Sequence, residues 1–183
     1  MTVDTITGRL TDYAVLHEAP PEEGVPFAIA WSHDQRYVAV GPIAAPYSLY
    51  VLDTLNGELA ATYEFEEGYA GELVWSPAAN HLAISTYSPD RLRHEVYVVD
   101  PAVDAGPRHL ASGCRIVWSP DGGFLAAKAE PHTFGTVAVN VDTGHTWRLT
   151  PRPGMTPVAW GLDQQSALDL VQIPGRSAAV LGK

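Results

Sequence analysis

Residues 72–77 read ELVWSP and residues 115–120 read RIVWSP, and their tryptophans, Trp75 and Trp118, stand 43 positions apart. Two further relatives, IAWSHDQRYVAV around Trp31 and VAWGLDQQSALDL around Trp160, complete a series of four tryptophans spaced by 44, 43 and 42 residues. Self-similarity at a fixed period of this length marks a stacked-repeat architecture. A second phrase trails the first three copies: LYVLDTLNGE with Asp53, VYVVDPAVDAG with Asp100 and VAVNVDTGH with Asp142, at 22, 25 and 24 residues beyond their tryptophans.

Each repeat reads as short strands. FAIAW, RYVAV, YSLYVLD and LAATYEF are runs rich in β-branched and aromatic residues, broken by SHDQ, GPIAAP and TLNG, and such alternation bounded by turn formers is the strand signature. The second repeat gives ELVW, HLAIST, HEVYVVD and PRHLA, and the third CRIVW, FLAAK, GTVAVNV and HTWRLT. No window sustains a helical period. Four strands in a unit of this length match one blade of a β-propeller, in which sheets pack face to face around an axis.

The phrases WSHD, WSPA, WSPDG and WGLD, each followed by an apolar strand and, in the first three copies, by YVLD, YVVD or VNVD, resemble the WD40-like propeller repeat of TolB and of the propeller domains of prolyl-oligopeptidase-type peptidases. The third copy is nearly ideal. The second carries Ala78 and Ala79 where Asp and Gly are expected, and the fourth has lost the Ser and Pro. The resemblance implies an all-β chain, a single propeller domain over 1–183. Its blades fall at about 26–65, 72–111, 114–150 and 157–183, with residues 9–16 supplying the last blade's fourth strand. That strand aligns VDTITGRLTDYAVL with LDTLNGELAATYEF and would close the ring within one chain or between two. Four blades turn by ~90° at each step and eight by ~45°. The small inner residues Ala28 and Ala30 suit the narrower wedge, so an eight-bladed ring made by a homodimer is the expected form and a four-bladed monomer the alternative.

Composition limits the function. Hydrophobic residues at 46% and charged residues at 17% describe a chain able to bury a core. A formal net charge of −10, with only 11 Lys and Arg spread singly, argues against a nucleic-acid surface and against anionic membranes. Cys114 is the single cysteine and demands no oxidising compartment. MTVDTITGRLTDY lacks the basic end and apolar run of a signal peptide, and no stretch approaches a membrane span, so a cytoplasmic protein is expected.

The repeated tryptophans read as packing between blades rather than as stacking platforms, and Trp147, outside the pattern, as a half-exposed residue of an outer strand. Asp53, Asp100 and Asp142 each stand before a turn, where an aspartate caps its own backbone, and Asp121, Gly122 and Gly123 form a hairpin turn. His17, His33, His81, His94, His109, His132 and His145 form no HxH, HExxH or Cys/His cluster, so spacing supports neither a metal nor a cofactor. Cys114 reads as a small buried residue. No GxSxG, P-loop or GxGxxG is present.

Two sets of loops should converge at one end of the ring. They are GPIAAPY, YSPDRLRHE, AEPHTFG and PGR within blades, and HEAPPEEGVP, FEEGYAGE, LASGCR and TPRPGMTP between them. They hold Tyr47, Glu66, Glu67, Tyr69, Arg91, Arg93, His94, Glu95, His132, Phe134 and Arg152, and loops on a rigid scaffold are where binding residues concentrate. The expected function is a non-catalytic scaffold presenting this face to a protein or peptide. The alternative is a lyase, cyclase or hydrolase acting on a small molecule in the central funnel, with His94 or His132 as acid/base and Arg91 or Arg93 on an anionic group.

Overall fold

A computed structural model describes residues 2–3, 10–12, 26–42, 47–65, 69–88, 90–103, 105–130, 135–149, 155–160, 167–173 and 176–181. Among these the chain forms sixteen strands and no helix. They are β1 (Thr2–Val3), β2 (Leu10–Asp12), β3 (Pro26–Trp31), β4 (Tyr37–Pro42), β5 (Tyr47–Asp53), β6 (Glu58–Phe65), β7 (Tyr69–Trp75), β8 (Leu82–Ser88), β9 (Arg93–Val99), β10 (Arg108–Trp118), β11 (Phe124–Ala129), β12 (Thr136–Asn140), β13 (Thr146–Arg148), β14 (Met155–Trp160), β15 (Ala167–Ile173) and β16 (Arg176–Leu181). All pairings are antiparallel between successive strands, giving sheets β3 to β6, β7 to β13 and β14 to β16, with β1 and β2 as a separate hairpin.

Each unit opens on its tryptophan strand, and the turn that follows explains the repeated phrase. Ser119 accepts the Phe124 N–H on its hydroxyl oxygen at 2.9 Å and donates that hydroxyl to Asp121 at 2.6 Å, while Asp121 also accepts the Gly123 N–H at 3.0 Å. Ser32, Asp34, Arg36 and Tyr37 repeat these bonds in the first unit. The donated serine hydroxyl, followed by the backbone N–H, holds both aspartates below the usual carboxylate range. Gln35 adopts the left-handed φ of 60° at the place where Gly122 has 72°. Gly122, and not Gly123 beside it, supplies the positive φ of the third turn.

The tryptophans join the units in series. Trp75 donates its indole N–H to the Ala30 carbonyl at 2.9 Å, Trp118 to Val74 at 2.8 Å and Trp160 to Val117 at 2.9 Å. Each acceptor is the residue just before the preceding unit's tryptophan. Apolar cores fill the spaces between sheets. Tyr37, Leu49, Val51 and Phe65 of the first sheet pack against Trp75, Leu82, Ile84 and Val99. Val96 and Val98, on the opposite face of β9, pack against Trp118, Leu125, Val139 and Val141. Alternation along one strand thus serves two cores, as a strand covered on both faces requires. Trp31 is different: it is 53% exposed and Ile29 beside it 61%.

Two further sequence expectations change. Leu110 to Arg115, read as a loop between blades, is strand: β10 pairs with β9 over Arg108 to Ser112 and with β11 from Gly113 onward. Small residues allow this run-on, since a Cβ at Gly113 would lie 2.5 Å from the Lys128 carbonyl oxygen. The cap assigned to Asp142 belongs to Asn140, whose side-chain oxygen accepts the Thr143 N–H at 2.8 Å while Asp142 is exposed. Asn140 lies opposite Phe124 as Asp53 lies opposite Tyr37, whereas Asp53 and Asp100 make the expected caps to Leu55 and Ala102. At the start of the sequence β2 pairs with β1, Val3 opposite Leu10 and Thr2 opposite Asp12, while residues 9 and 13–16 of the expected last-blade strand lie outside the described residues. That reproduces the outer hairpin of the first unit, including its bulge, where Leu52 lies opposite Leu59 and Val51 opposite Ala61. Pairing of β2 with β16 is not among the described ladders.

Candidate functional site

The strand ends fix where the candidate residues lie. Tyr47 opens β5 opposite Phe65, and Tyr69 opens β7 opposite Tyr87, which in turn lies opposite His94 near the start of β9. Arg91 occupies the turn between β8 and β9. Tyr47, Tyr69, Arg91, Arg93, His94 and Glu95 therefore stand at one end of the sheets. Trp147, on β13, is 43% exposed, its ring edge against His145. Glu66, Glu67, His132, Phe134 and Arg152 lie outside the described residues.

Arg93, His94 and Glu95 are consecutive, so their side chains alternate between faces. Glu95 turns toward the first unit and is only 5% exposed. Its carboxylate accepts the Ser112 hydroxyl at 2.7 Å, meets His109 Nε2 at 2.9 Å and pairs with Arg93 at 2.5 Å. Burial pulls this carboxyl upward, but the bonds from His109 and Ser112 and the charge of Arg93 outweigh it and hold it below the usual glutamate range. Beside it a cavity of about 280 Å³ opens between the first two units, lined by Glu64, Phe65, Thr86, Arg91, Glu95 and Tyr97 among others. The Tyr97 ring meets Phe65 and His109 edge-on, at 5.3 Å from each.

His94 turns the other way, toward the third unit. Glu130, just past β11, receives it twice, at 2.7 Å from Nδ1 and 3.2 Å from its backbone N–H. The same carboxylate accepts the Cys114 thiol at 3.3 Å. Burial, followed by the adjacent Glu130 carboxylate, pushes the Cys114 thiol up to about 12, so it is protonated and a poor nucleophile. Burial also raises Glu130, yet the bonds from His94 and Cys114 more than offset this and hold it low. Sequence spacing gave no sign of this cluster, because its members come from β9, β10 and the end of β11. A bulge between Cys114 and Val117, with Arg115 at a φ of 54°, sets the inner strand's aim here.

Successive antiparallel strands in repeated units, each joined to the one before by a tryptophan–backbone bond, are the arrangement of propeller blades. The chain has the fold of TolB-like and WD40 β-propeller domains. It matches TolB from Acinetobacter baumannii with a TM-score of 0.58 at 15% identity, over 86% of this chain and 41% of that one. It matches the Cps50 (Swd1) β-propeller domain of Myceliophteria thermophila at 0.63 and 13% identity, over 93% and 58%. In sequence it is 26% identical, over 79% of its length, to one of the subunits of eukaryotic translation initiation factor 3 of Cryptococcus neoformans. The chain spans 19% of that relative's length and about half of these propellers. No family model matches.

Proposed function

We propose that the protein is a binding scaffold whose strand-start end, at the boundary of the first and second blades, receives a protein or peptide partner. The observation that carries this reading is the cavity beside Glu95, where Phe65 and Tyr97 are set among Glu64 and Arg91. Aromatic anchors with a charged border suit a protein partner. The likeness to a component of a translation initiation factor and to propeller domains supports a protein-interaction role in the same direction. Catalysis at His94 draws less support, since its Nδ1 is held by Glu130 rather than aimed into the cavity. A cytoplasmic setting belongs to the same reading, and among the described residues no helix is long and apolar enough to cross a membrane.

The exposed face of the first blade favours a second copy as one partner. Trp31 and Ile29 occupy the places where Trp75 and Leu73 pack on a preceding blade, and a second chain's last blade offers the matching Ala159 carbonyl. This heterologous contact, made twice, gives the eight-bladed ring.

Capture from a cell lysate by the wild-type chain and by Arg91→Glu tests the scaffold. A partner held by the first and lost by the second, with unchanged circular dichroism, supports it. Equal capture by both, or none by either, sinks it. Light scattering reads the ring separately, and a monomer mass at micromolar concentration excludes the dimer.

A further inference from the structure

Three metal-ligating side chains meet at the boundary of the second and third blades. One ligand atom each from His94, Cys114 and Glu130 lies within 4.8 Å of the others. They are neither sealed off nor fully solvated, with His94 28% and Glu130 23% exposed in the side chain. The supports are stiff: His94 and Cys114 sit on paired strands, and Glu130 follows directly on β11.

We propose that His94 Nδ1, Cys114 Sγ and the Glu130 carboxylate bind one zinc-class divalent cation, clipping the second blade to the third at the strand-start end. The donor set selects the metal. A thiolate with an imidazole suits a borderline-soft ion, whereas calcium and magnesium take oxygen ligands. The distances fit with little movement. Zinc bonds of about 2.0–2.3 Å to nitrogen, oxygen and sulfur place neighbouring ligand atoms roughly 3.3–3.6 Å apart in a tetrahedron. Cys114 Sγ already stands 3.3 Å from Glu130 Oε1, the 2.7 Å approach of His94 Nδ1 to Oε2 must open, and the three ligand atoms, all within 4.8 Å of one another, settle around the ion by small side-chain rotations. A solvent molecule completes four-fold coordination on the exposed side.

Binding breaks the hydrogen bond from the Cys114 thiol to Glu130. The metal–sulfur bond forms as the S–H bond breaks and the thiol proton leaves to solvent.

Cobalt(II) titration of the full-length, chelator-treated protein tests the site, because a cobalt–thiolate bond gives a near-ultraviolet charge-transfer band. The expected result is saturation at one equivalent, displacement by zinc, and a rise in melting temperature on loading. Cys114→Ser should remove the band, and Glu130→Gln should weaken zinc binding at least tenfold. Absence of saturable binding, a complex without the thiolate band, or unaltered zinc affinity in Glu130→Gln overturns the proposal. The wild-type spectrum decides even if a variant fails to fold. This outcome is independent of partner capture at the cavity, whose side chains lie on the other face of β9.

Discussion

Gly122 and Ser76 meet across the second and third blades so closely that a Cβ at Gly122 would lie 2.6 Å from the Ser76 hydroxyl oxygen. Gly122 also holds a φ of 72°, which costs a side-chain-bearing residue strain even though Gln35 accepts it in the first turn, so two independent constraints disfavour a side chain here. Gly122→Ala should cost about 1–3 kcal/mol from backbone strain and crowding together. Ser76→Ala in the same chain should recover part of that loss, because the two sites share a contact. Urea midpoints of the single and double variants measure it, and strict additivity would show that only the backbone matters.

Glu95 makes stability depend on acid. Burial works against its charge, but His109, Ser112 and Arg93 prevail, so its folded-state pKa lies below the ordinary value of 4.5. A lowered carboxylate contributes stability that is present above that value and is lost as pH falls through the folded pKa. Glu95→Gln should therefore be less stable than wild type at pH 7, and the difference should shrink below about pH 4. Denaturant midpoints from pH 7 to 3 check this, and parallel curves would refute it.

Cys114 should resist thiol reagents in the folded, metal-free chain. Its pKa of about 12 leaves almost no thiolate at pH 8, and Glu130 adds to the effect of burial. Disulfide-exchange rates should rise by orders of magnitude in denaturant, and Glu130→Gln should accelerate the native reaction by removing the adjacent negative charge. Cys114 is half-buried rather than the buried residue the sequence suggested, and fast native labelling in wild type would contradict its raised pKa.

The repeat was legible because its signal is periodic. Trp75, Trp118 and Trp160 recur with the strands they join, and Ser32, Asp34, Ser119 and Asp121 make one turn that the sequence displays as one phrase. Register was harder to read. VNVD offers an aspartate two residues beyond the position that Asn140 fills, and only the ladder opposite Phe124 separates the two. The run-on of β10 was hidden because Gly113 resembles a turn former, although its role is close approach to Lys128. His94, Cys114 and Glu130 carry no signature, since pairing across β9, β10 and β11 joins residues 16 to 36 positions apart. Glu95 falls where the loop YSPDRLRHE overlaps the strand HEVYVVD, and neither stretch reveals that Ser112 and His109 will face it.

Trp118 and Trp31 occupy equivalent places in their blades and should respond differently to the same change. Trp118 is buried and donates to the Val74 carbonyl, so Trp118→Phe removes that bond and part of a filled volume. The expected cost is about 1–3 kcal/mol. Trp31 is half exposed, and Trp31→Phe in an isolated chain should change stability by less than about 0.5 kcal/mol. If a second copy covers Trp31, wild-type melting temperature should climb with protein concentration while the Trp31→Phe variant stays flat. A concentration-independent loss in Trp31→Phe as large as that in Trp118→Phe would mean that the chain's own last blade closes on the first. Thermal unfolding of both variants over a hundredfold range of concentration separates these outcomes.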